Sequence, residues 1–79
     1  MKVLIDVTLK EGIMDPQGNA VKDGLIKLGY DVNNVRIGKH IEIELKDLEI
    51  NKAEKLVKEM CEKFLTNPVI ETYTFRFEV

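Results

Sequence analysis

The sequence predicts a small α+β protein with the element order β-α-β-β-α-β, in which two helices lie on one face of an antiparallel sheet. Three observations predict this class. Apolar residues alternate with polar ones near both ends of the chain, two apolar stripes recur at helical spacing, and a candidate hairpin lies between them. The 79 residues, 44% hydrophobic and 33% charged, are enough for one domain, residues 1–79, with a small core.

The first strand is predicted at residues 3–9, where apolar side chains occupy every second position. Gly12 then permits a change of direction. Asp15 followed by Pro16 marks a helix start, because aspartate caps free backbone amides and proline lacks an amide hydrogen that the first helical position does not use. This helix should end at Gly29, a typical C-terminal cap residue. Its apolar stripe comprises Ala20, Val21, Gly24, Leu25 and Leu28.

The middle of the chain predicts a hairpin. A short apolar segment around Val35 and Ile37 is followed by Gly38 and then by the alternating residues 41–45. A two-residue turn would put the apolar side chains of the two segments on opposite faces of the sheet. An odd-length loop, most simply Gly38 to His40, or a bulge beside it, is therefore expected.

A second helix is predicted to begin at Asn51, which resembles the first residue of a capping box completed by Glu54. Asn67 and Pro68 should end it, and residues 72–79 alternate as the final strand. The unbroken apolar stripe of this helix should be its contribution to the core. The stripe comprises Ala53, Leu56, Val57, Met60, Cys61, Phe64 and Leu65. The complete element order corresponds to the ferredoxin-like arrangement.

Composition excludes several classes of partner. The formal net charge of −2 gives no electrostatic reason to expect binding to nucleic acid or to an acidic membrane surface. Cys61 is the only cysteine, so no internal disulfide can form, and a cytoplasmic location is expected. We find neither a secretion signal nor an apolar run long enough to span a bilayer. The small core and exposed sheet edges favour a homodimer or a homotetramer.

Few groups suited to catalysis are present. Cys61 lies in the apolar stripe of the second helix, where a thiol usually acts as a small hydrophobic group of low reactivity. His40 is the only histidine and is expected on a polar face that points away from that stripe. One histidine and one cysteine cannot form a nitrogen and sulfur metal site, and the glycines lack a nucleotide-binding spacing. No catalytic residue, metal or cofactor is assigned to this chain.

Two polar regions remain as candidates for binding. The outer sheet face carries both charge signs and no exposed aromatic on which a base could stack, so solvent exposure or cross-strand pairs, such as Arg36 with a glutamate, are favoured over a partner surface. The loop into the first helix is the better candidate. Lys10, Gln17 and Asn19 cluster near a helix N-terminus that attracts anions or carbonyl oxygens, although capping by Asp15 explains the pattern equally well.

Three segments of the sequence together resemble the PurS family. They are LKEGIMDPQGNA at residues 9–20, RIGKHIEIEL at 36–45 and MCEKFLTNPVIETY at 60–73. The resemblance implies a subunit of the phosphoribosylformylglycinamidine synthase of purine biosynthesis, in which a glutaminase subunit releases ammonia and a synthetase subunit uses ATP and magnesium. It implies that this chain bridges those two subunits and assists ammonia transfer, without catalytic residues or cofactors of its own.

The resemblance also implies roles for two sets of residues. Six residues should shape or contact subunit interfaces: Lys10, Asp15, Gln17, Arg36, Lys39 and Asn67. Five should set the loop backbones that present them: Gly12, Pro16, Gly18, Gly38 and Pro68. Two alternatives are a ferredoxin-like regulatory domain that binds a small molecule and an acylphosphatase. The second is disfavoured because the first loop has no arginine.

Overall fold

The computed structural model describes residues 1–78 and contains three strands and two helices. The elements are β1 (Lys2–Leu9), α1 (Pro16–Lys27), β2 (Lys39–Glu44), α2 (Ile50–Met60) with a π-helical turn (Cys61–Leu65), and β3 (Glu71–Glu78). The strands form one antiparallel sheet in the order β2-β1-β3. The predicted α+β class is confirmed. Val79, the last residue of the predicted final strand, lies outside the described residues.

The core lies between one face of the sheet and α2. Val3, Ile5 and Val7 of the central strand are at most 1% exposed, and apolar residues of both neighbouring strands pack against them. α2 and the π-helical turn close this face with Val57 and Cys61. Each large apolar side chain buried in this way stabilises the fold by about 1.5–3 kcal/mol before the entropy cost is subtracted.

The second helix differs from its prediction at both ends. It begins at Ile50 after Glu49, and no side chain caps it, so the predicted cap at Asn51 is wrong. At its C-terminus the chain winds more widely, and the amide of Thr66 donates to the carbonyl of Cys61 at 3.0 Å. This π-type turn shifts the helical register. Phe64 consequently leaves the core-facing stripe and is 87% exposed, whereas Leu65 packs against the core.

The predicted hairpin is replaced by the single edge strand β2. Residues 35–38 form no ladder with the described part of the sheet, whereas both Lys39 and His40 lie inside β2. The predicted loop from Gly38 to His40 is therefore wrong. Ile41 pairs with Ile5 of the central strand and faces the core as expected.

The ends of α1 follow their predictions. Asp15 caps the helix by accepting a hydrogen bond from the Gly18 amide at 2.9 Å, and Pro16 is the first helical residue. At the other end Gly29 has a φ of +97°, and the amides of Gly29 and Tyr30 donate to carbonyls in the last turn at 3.0 Å. This pair of bonds is a Schellman motif, which needs a residue with positive φ at the glycine position. None of the described helices is both long and apolar enough to cross a membrane.

The position of α1 differs from the predicted arrangement of two helices on one face. Its first turn is held beside residues 35–37, which precede β2, and beyond that turn only Lys22 and Leu25 of the helix are even half-buried. Val21 is 42% exposed, and Leu28, just after the helix, is 76% exposed. The chain measures 49 × 27 × 14 Å and has a radius of gyration of 15.9 Å, compared with about 12 Å for a compact domain of this length. The predicted apolar stripe of α1 therefore has no cover within the described chain.

Candidate functional site

Two shallow depressions meet at the start of α1 and share Asp15 in their lining. The first has a volume of about 240 Å³ and lies between the start of α1, the end of β1 and the start of β2. The second has a volume of about 440 Å³ and lies between the loop of residues 10–14 and residues 34–36. We call this region the α1 junction. It brings together five of the six predicted interface residues: Lys10, Asp15, Gln17, Arg36 and Lys39.

Asp15 holds the α1 junction together through both of its carboxylate oxygens. Oδ1 accepts from the Gly18 amide and Oδ2 from the Ile37 amide, each at 2.9 Å. The hydrogen bond from Ile37, followed by that from Gly18, lowers the pKa of the Asp15 carboxyl below its ordinary value. The group is therefore ionised at neutral pH and occupies the positive end of the helix. Of the two predicted alternatives at this helix end, the structure shows capping of the helix by Asp15.

Two glycines allow the backbones of the α1 junction to approach closely. A methyl group at Gly18 would overlap the carbonyl oxygen of Val35, and one at Gly38 would overlap the carbonyl oxygen of Val7. A third glycine of the predicted loop set, Gly12, has a φ of +84°, which other residues rarely adopt.

A second link ties the α1 junction to the start of β3. The Glu71 carboxylate lies 3.8 Å from the Lys39 ammonium group and accepts a hydrogen bond from the backbone amide of Asn67 at 2.7 Å. The Asn67 side chain accepts from the Val69 amide at 3.1 Å, which forms a tight turn around Pro68. Asn67, the sixth predicted interface residue, is thus connected to the other five through Glu71.

Glu71 is a residue of this region that sequence reasoning missed. Its side chain is only 17% exposed, and it joins the two edge strands across the end of β1. The available signal was its place in the segment NPVIE, directly after the turn that ends the second helix. Only the register of the sheet shows that Glu71 and Lys39 reach the same end of it.

Arg36 makes a different contact from the one predicted. Its guanidinium group donates to the backbone carbonyl of Leu9, so the predicted pairing with a neighbouring glutamate is wrong. The amide of Lys10 donates to the carbonyl of Ile70 at 2.8 Å. The loop that carries Lys10 is therefore attached to the segment before β3 as well as to residues 34–36.

Cys61 and His40 lie on opposite sides of the sheet, as predicted. Cys61 is fully buried against the core face, and burial raises the pKa of its thiol. His40 lies on the outer face, where its ring nitrogens contact Asp6 and Glu42 at 2.7 and 3.0 Å. The two groups cannot act on one another in this fold. Among residues 1–78 no three histidine, cysteine or acidic side chains are grouped so that they could hold a metal ion.

An antiparallel sheet, a largely exposed first helix and a polar junction at one end define a class of small α+β protein. The family model of PurS, described as phosphoribosylformylglycinamidine (FGAM) synthase, matches residues 2–79. The chain belongs to the PurS family.

Three relatives are similar to this chain over more than 90% of their own length. The chain is 46% identical over 82 residues to the PurS subunit of phosphoribosylformylglycinamidine synthase from Bacillus subtilis, with 98% of this chain and 92% of the relative covered. The crystal structure of Methanocaldococcus jannaschii PurS has a TM-score of 0.85 at 34% identity, with 95% and 92% covered. A chain in the structure of PurLQS from Thermotoga maritima has a TM-score of 0.87 at 37% identity, with 95% and 93% covered.

Proposed function

We propose that this chain is the small subunit of phosphoribosylformylglycinamidine synthase and acts in purine biosynthesis without catalytic residues of its own. Its role is to bridge the glutaminase and synthetase subunits in the cytoplasm and to assist the transfer of ammonia between them. ATP, magnesium and glutamine are used by those partners, and this chain binds none of them alone. Membership of the PurS family and the similarity to a chain of PurLQS support the proposal.

The observation that carries the proposal is the uncovered apolar face of α1. Val21 and Leu28 are exposed on this face, Leu25 between them is half-buried, and Tyr30 is exposed just beyond it. Large apolar side chains that neighbour one another on a helix favour burial, and the chain offers them no surface of its own. A helix that projects from one copy and needs cover fits a symmetric pair, in which each copy covers the helix of the other. The assembly unit is therefore a homodimer, and two such pairs would form a homotetramer.

The α1 junction is the part of the proposed bridge that meets the other subunits. Lys10, Arg36 and Lys39 are exposed cations at one end of the molecule, and Ile13 and Met14 are exposed apolar side chains beside them. A rim of charge around apolar side chains is the usual composition of a protein interface. Carboxylates on a partner subunit are the groups that these cations would bind.

Reconstitution tests the proposed function directly. The purified chain is mixed with glutaminase and synthetase subunits, with glutamine and ATP present, and co-elution and glutamine-dependent product formation are measured. The expected result is that the chain joins the assembly and that product formation requires it. A chain that stays apart and leaves activity unchanged would overturn the proposal. Thermal stabilisation by amino acids or nucleotides, without partner proteins, would then favour a ligand-binding regulatory domain.

Reversing the charges of Lys10, Arg36 and Lys39 to glutamate is expected to abolish co-elution with the partner subunits and glutamine-dependent activity. Attractive contacts with partner carboxylates become repulsive, and like charges facing one another across an interface cost several kcal/mol. The variant also loses the contact of Arg36 with Leu9 and that of Lys39 with Glu71 within the chain. The affinity of the triple variant for each partner is measured by titration, and circular dichroism confirms that it is folded.

A matched control reverses three exposed lysines far from the α1 junction along the chain, Lys46, Lys52 and Lys55. This variant carries the same number of reversed lysine or arginine charges and should assemble normally. Equal behaviour of the two variants would show that net charge, and not the junction, governs assembly.

A further inference from the structure

A chain of alternating charges crosses the outer face of the sheet. Lys2 of β1 lies 3.2 Å from Glu42 of β2, and Glu42 lies 3.0 Å from one ring nitrogen of His40. The other ring nitrogen lies 2.7 Å from Asp6 of β1, which lies 3.5 Å from Arg76 of β3. His40 is the central member and is directly opposite Asp6 in the register of β1 and β2.

Both hydrogen bonds of His40 can form together only when its ring is protonated. Each ring nitrogen faces a carboxylate oxygen within hydrogen-bond distance. A carboxylate only accepts, and a neutral imidazole carries one N–H, whereas imidazolium carries two. Loss of the proton therefore leaves one carboxylate facing an unprotonated nitrogen and removes the positive charge between two negative groups.

β2 is the element that this loss affects. It is an edge strand that pairs with β1 alone in the described sheet. Both bonds of His40 hold it in place, because one crosses to Asp6 of β1 and the other orients Glu42, which in turn reaches Lys2 of β1. An edge strand with one neighbour is also the part of a sheet that opens most easily.

We propose that protonation of His40 holds the edge strand β2 on the sheet, and that this strand opens more readily as the pH rises above neutrality. This pH-dependent opening of β2 is independent of the proposed function, because it concerns the face of the sheet opposite the core and needs no partner. It makes β2, and the residues of the α1 junction that precede it, responsive to pH.

The charged groups around His40 determine the pH range. The hydrogen bond with Asp6, followed by that with Glu42, raises the pKa of His40 above its ordinary value of about 6.5. Its contribution is thus complete below that ordinary value and is lost as the pH rises through the higher pKa of the folded protein. The bond with His40 lowers the pKa of Asp6 and of Glu42. Their contribution is lost only in acid, below about pH 4.

The other charged groups on this face do not reverse the expected pH dependence of β2. Lys2 and Arg76 are cations, and each contacts one of the two carboxylates. Glu44 and Glu78 flank Lys2 in the sheet register and add negative charge to the face. Both pair with Lys2, four residues along β1 from Asp6, and neither opposes the charge of the protonated ring.

Nuclear magnetic resonance tests the proposal on the intact chain, because His40 is the only histidine and its titration is unambiguous. Amide hydrogen exchange, corrected for the pH dependence of intrinsic exchange, is measured for β2 and α2 from pH 6 to pH 9. We expect the protection of β2 to fall relative to that of α2 by about tenfold for each pKa unit that separates folded and unfolded His40. The fall should take place between the ordinary pKa of histidine and the measured pKa of His40 in the folded protein.

Two variants and one salt titration complete the test. His40→Gln should show weaker protection of β2 at pH 6 and no further change up to pH 9. Glu59→Gln removes the exposed ion pair between Glu59 of α2 and Lys63 of the π-helical turn and should keep the wild-type pH dependence. Should His40→Gln fail to fold, 1 M salt must flatten the dependence in the wild-type chain by screening these exposed charges. An ordinary pKa for His40, or pH-independent protection of β2 in the wild-type chain, would overturn the proposal.

Discussion

Replacing Val21 and Leu28 together with glutamate is expected to convert the proposed homodimer into monomers. Both side chains lie on the uncovered face of α1, and each apolar side chain of this size contributes about 1.5–3 kcal/mol when it is fully buried. A symmetric pair loses these contacts twice, and four new carboxylates would have to be buried or kept apart. We expect the dissociation constant of the dimer to rise at least about a hundredfold.

Sedimentation equilibrium over a range of protein concentrations measures this change. Lys27→Gln is the matched control. It lowers the formal charge by one, as each of the two glutamate substitutions does, and Lys27 is an exposed residue of the same helix. It should leave the dimer intact. A wild-type chain that is monomeric at high concentration, or a double variant that dimerises like the control, would contradict the assignment of α1 to the dimer interface. Circular dichroism verifies that α1 remains helical.

Replacing Gly18 with alanine is expected to lower the free energy of unfolding by about 1–3 kcal/mol, the usual cost of forcing an extra methyl group into a packed site. The added methyl group would overlap the carbonyl oxygen of Val35 and approach the Asp15 carboxylate. The Val35 oxygen belongs to the backbone, and the Asp15 carboxylate is held by two hydrogen bonds. Neither group can move without breaking the contact between α1 and residues 35–37. The melting temperature should fall by about 4–8 °C for each kcal/mol.

Denaturant unfolding followed by circular dichroism checks this prediction at one fixed protein concentration. Asn19→Ala is the control, since Asn19 is the next residue of the same helix and is exposed. Its replacement should change stability little or raise it slightly, because alanine favours helix. A Gly18→Ala protein as stable as the control would show that residues 35–37 can be displaced from α1 at little cost. The pH dependence of β2 should be the same in both variants.

The parts of the α1 junction that sequence reasoning could predict depend on residues close together in the chain. Asp15 and Pro16 mark a helix start because the groups they serve are within three positions. Gly29 marks the end for the same reason. The grouping of Lys10, Gln17 and Asn19 near the start of α1 was predicted from the residues, whereas the interface role of Arg36 came from the family resemblance. The structure adds the contact of Arg36 with the Leu9 carbonyl. The part of Lys10, Gln17 and Arg36 in partner binding stays a prediction.

Other features depend on contacts between distant parts of the chain. Glu71 reaches Lys39 only because β2 and β3 flank β1 in a particular register. Phe64 has the spacing of a core residue, but the π-helical turn before Thr66 rotates it towards solvent. Periodicity assumes a constant helical pitch, so a local change of pitch is invisible to it.

By itself the sequence determined the α+β class, the three core-facing strand patterns, the ends of α1 and the family. These follow from the hydrophobic period, the cap residues and the three segments that resemble the family, all of which can be recognised along a single chain. Only the tertiary structure decided that residues 35–38 leave the sheet and that α1 projects beyond it. The physical reason is the hydrogen bond from the Ile37 amide to Asp15, which joins residues 22 positions apart and holds the first turn of α1 where no sheet lies beside it. The spacing of apolar residues shows which face of a helix favours burial. The direction of the helix decides whether another part of the same chain lies against that face.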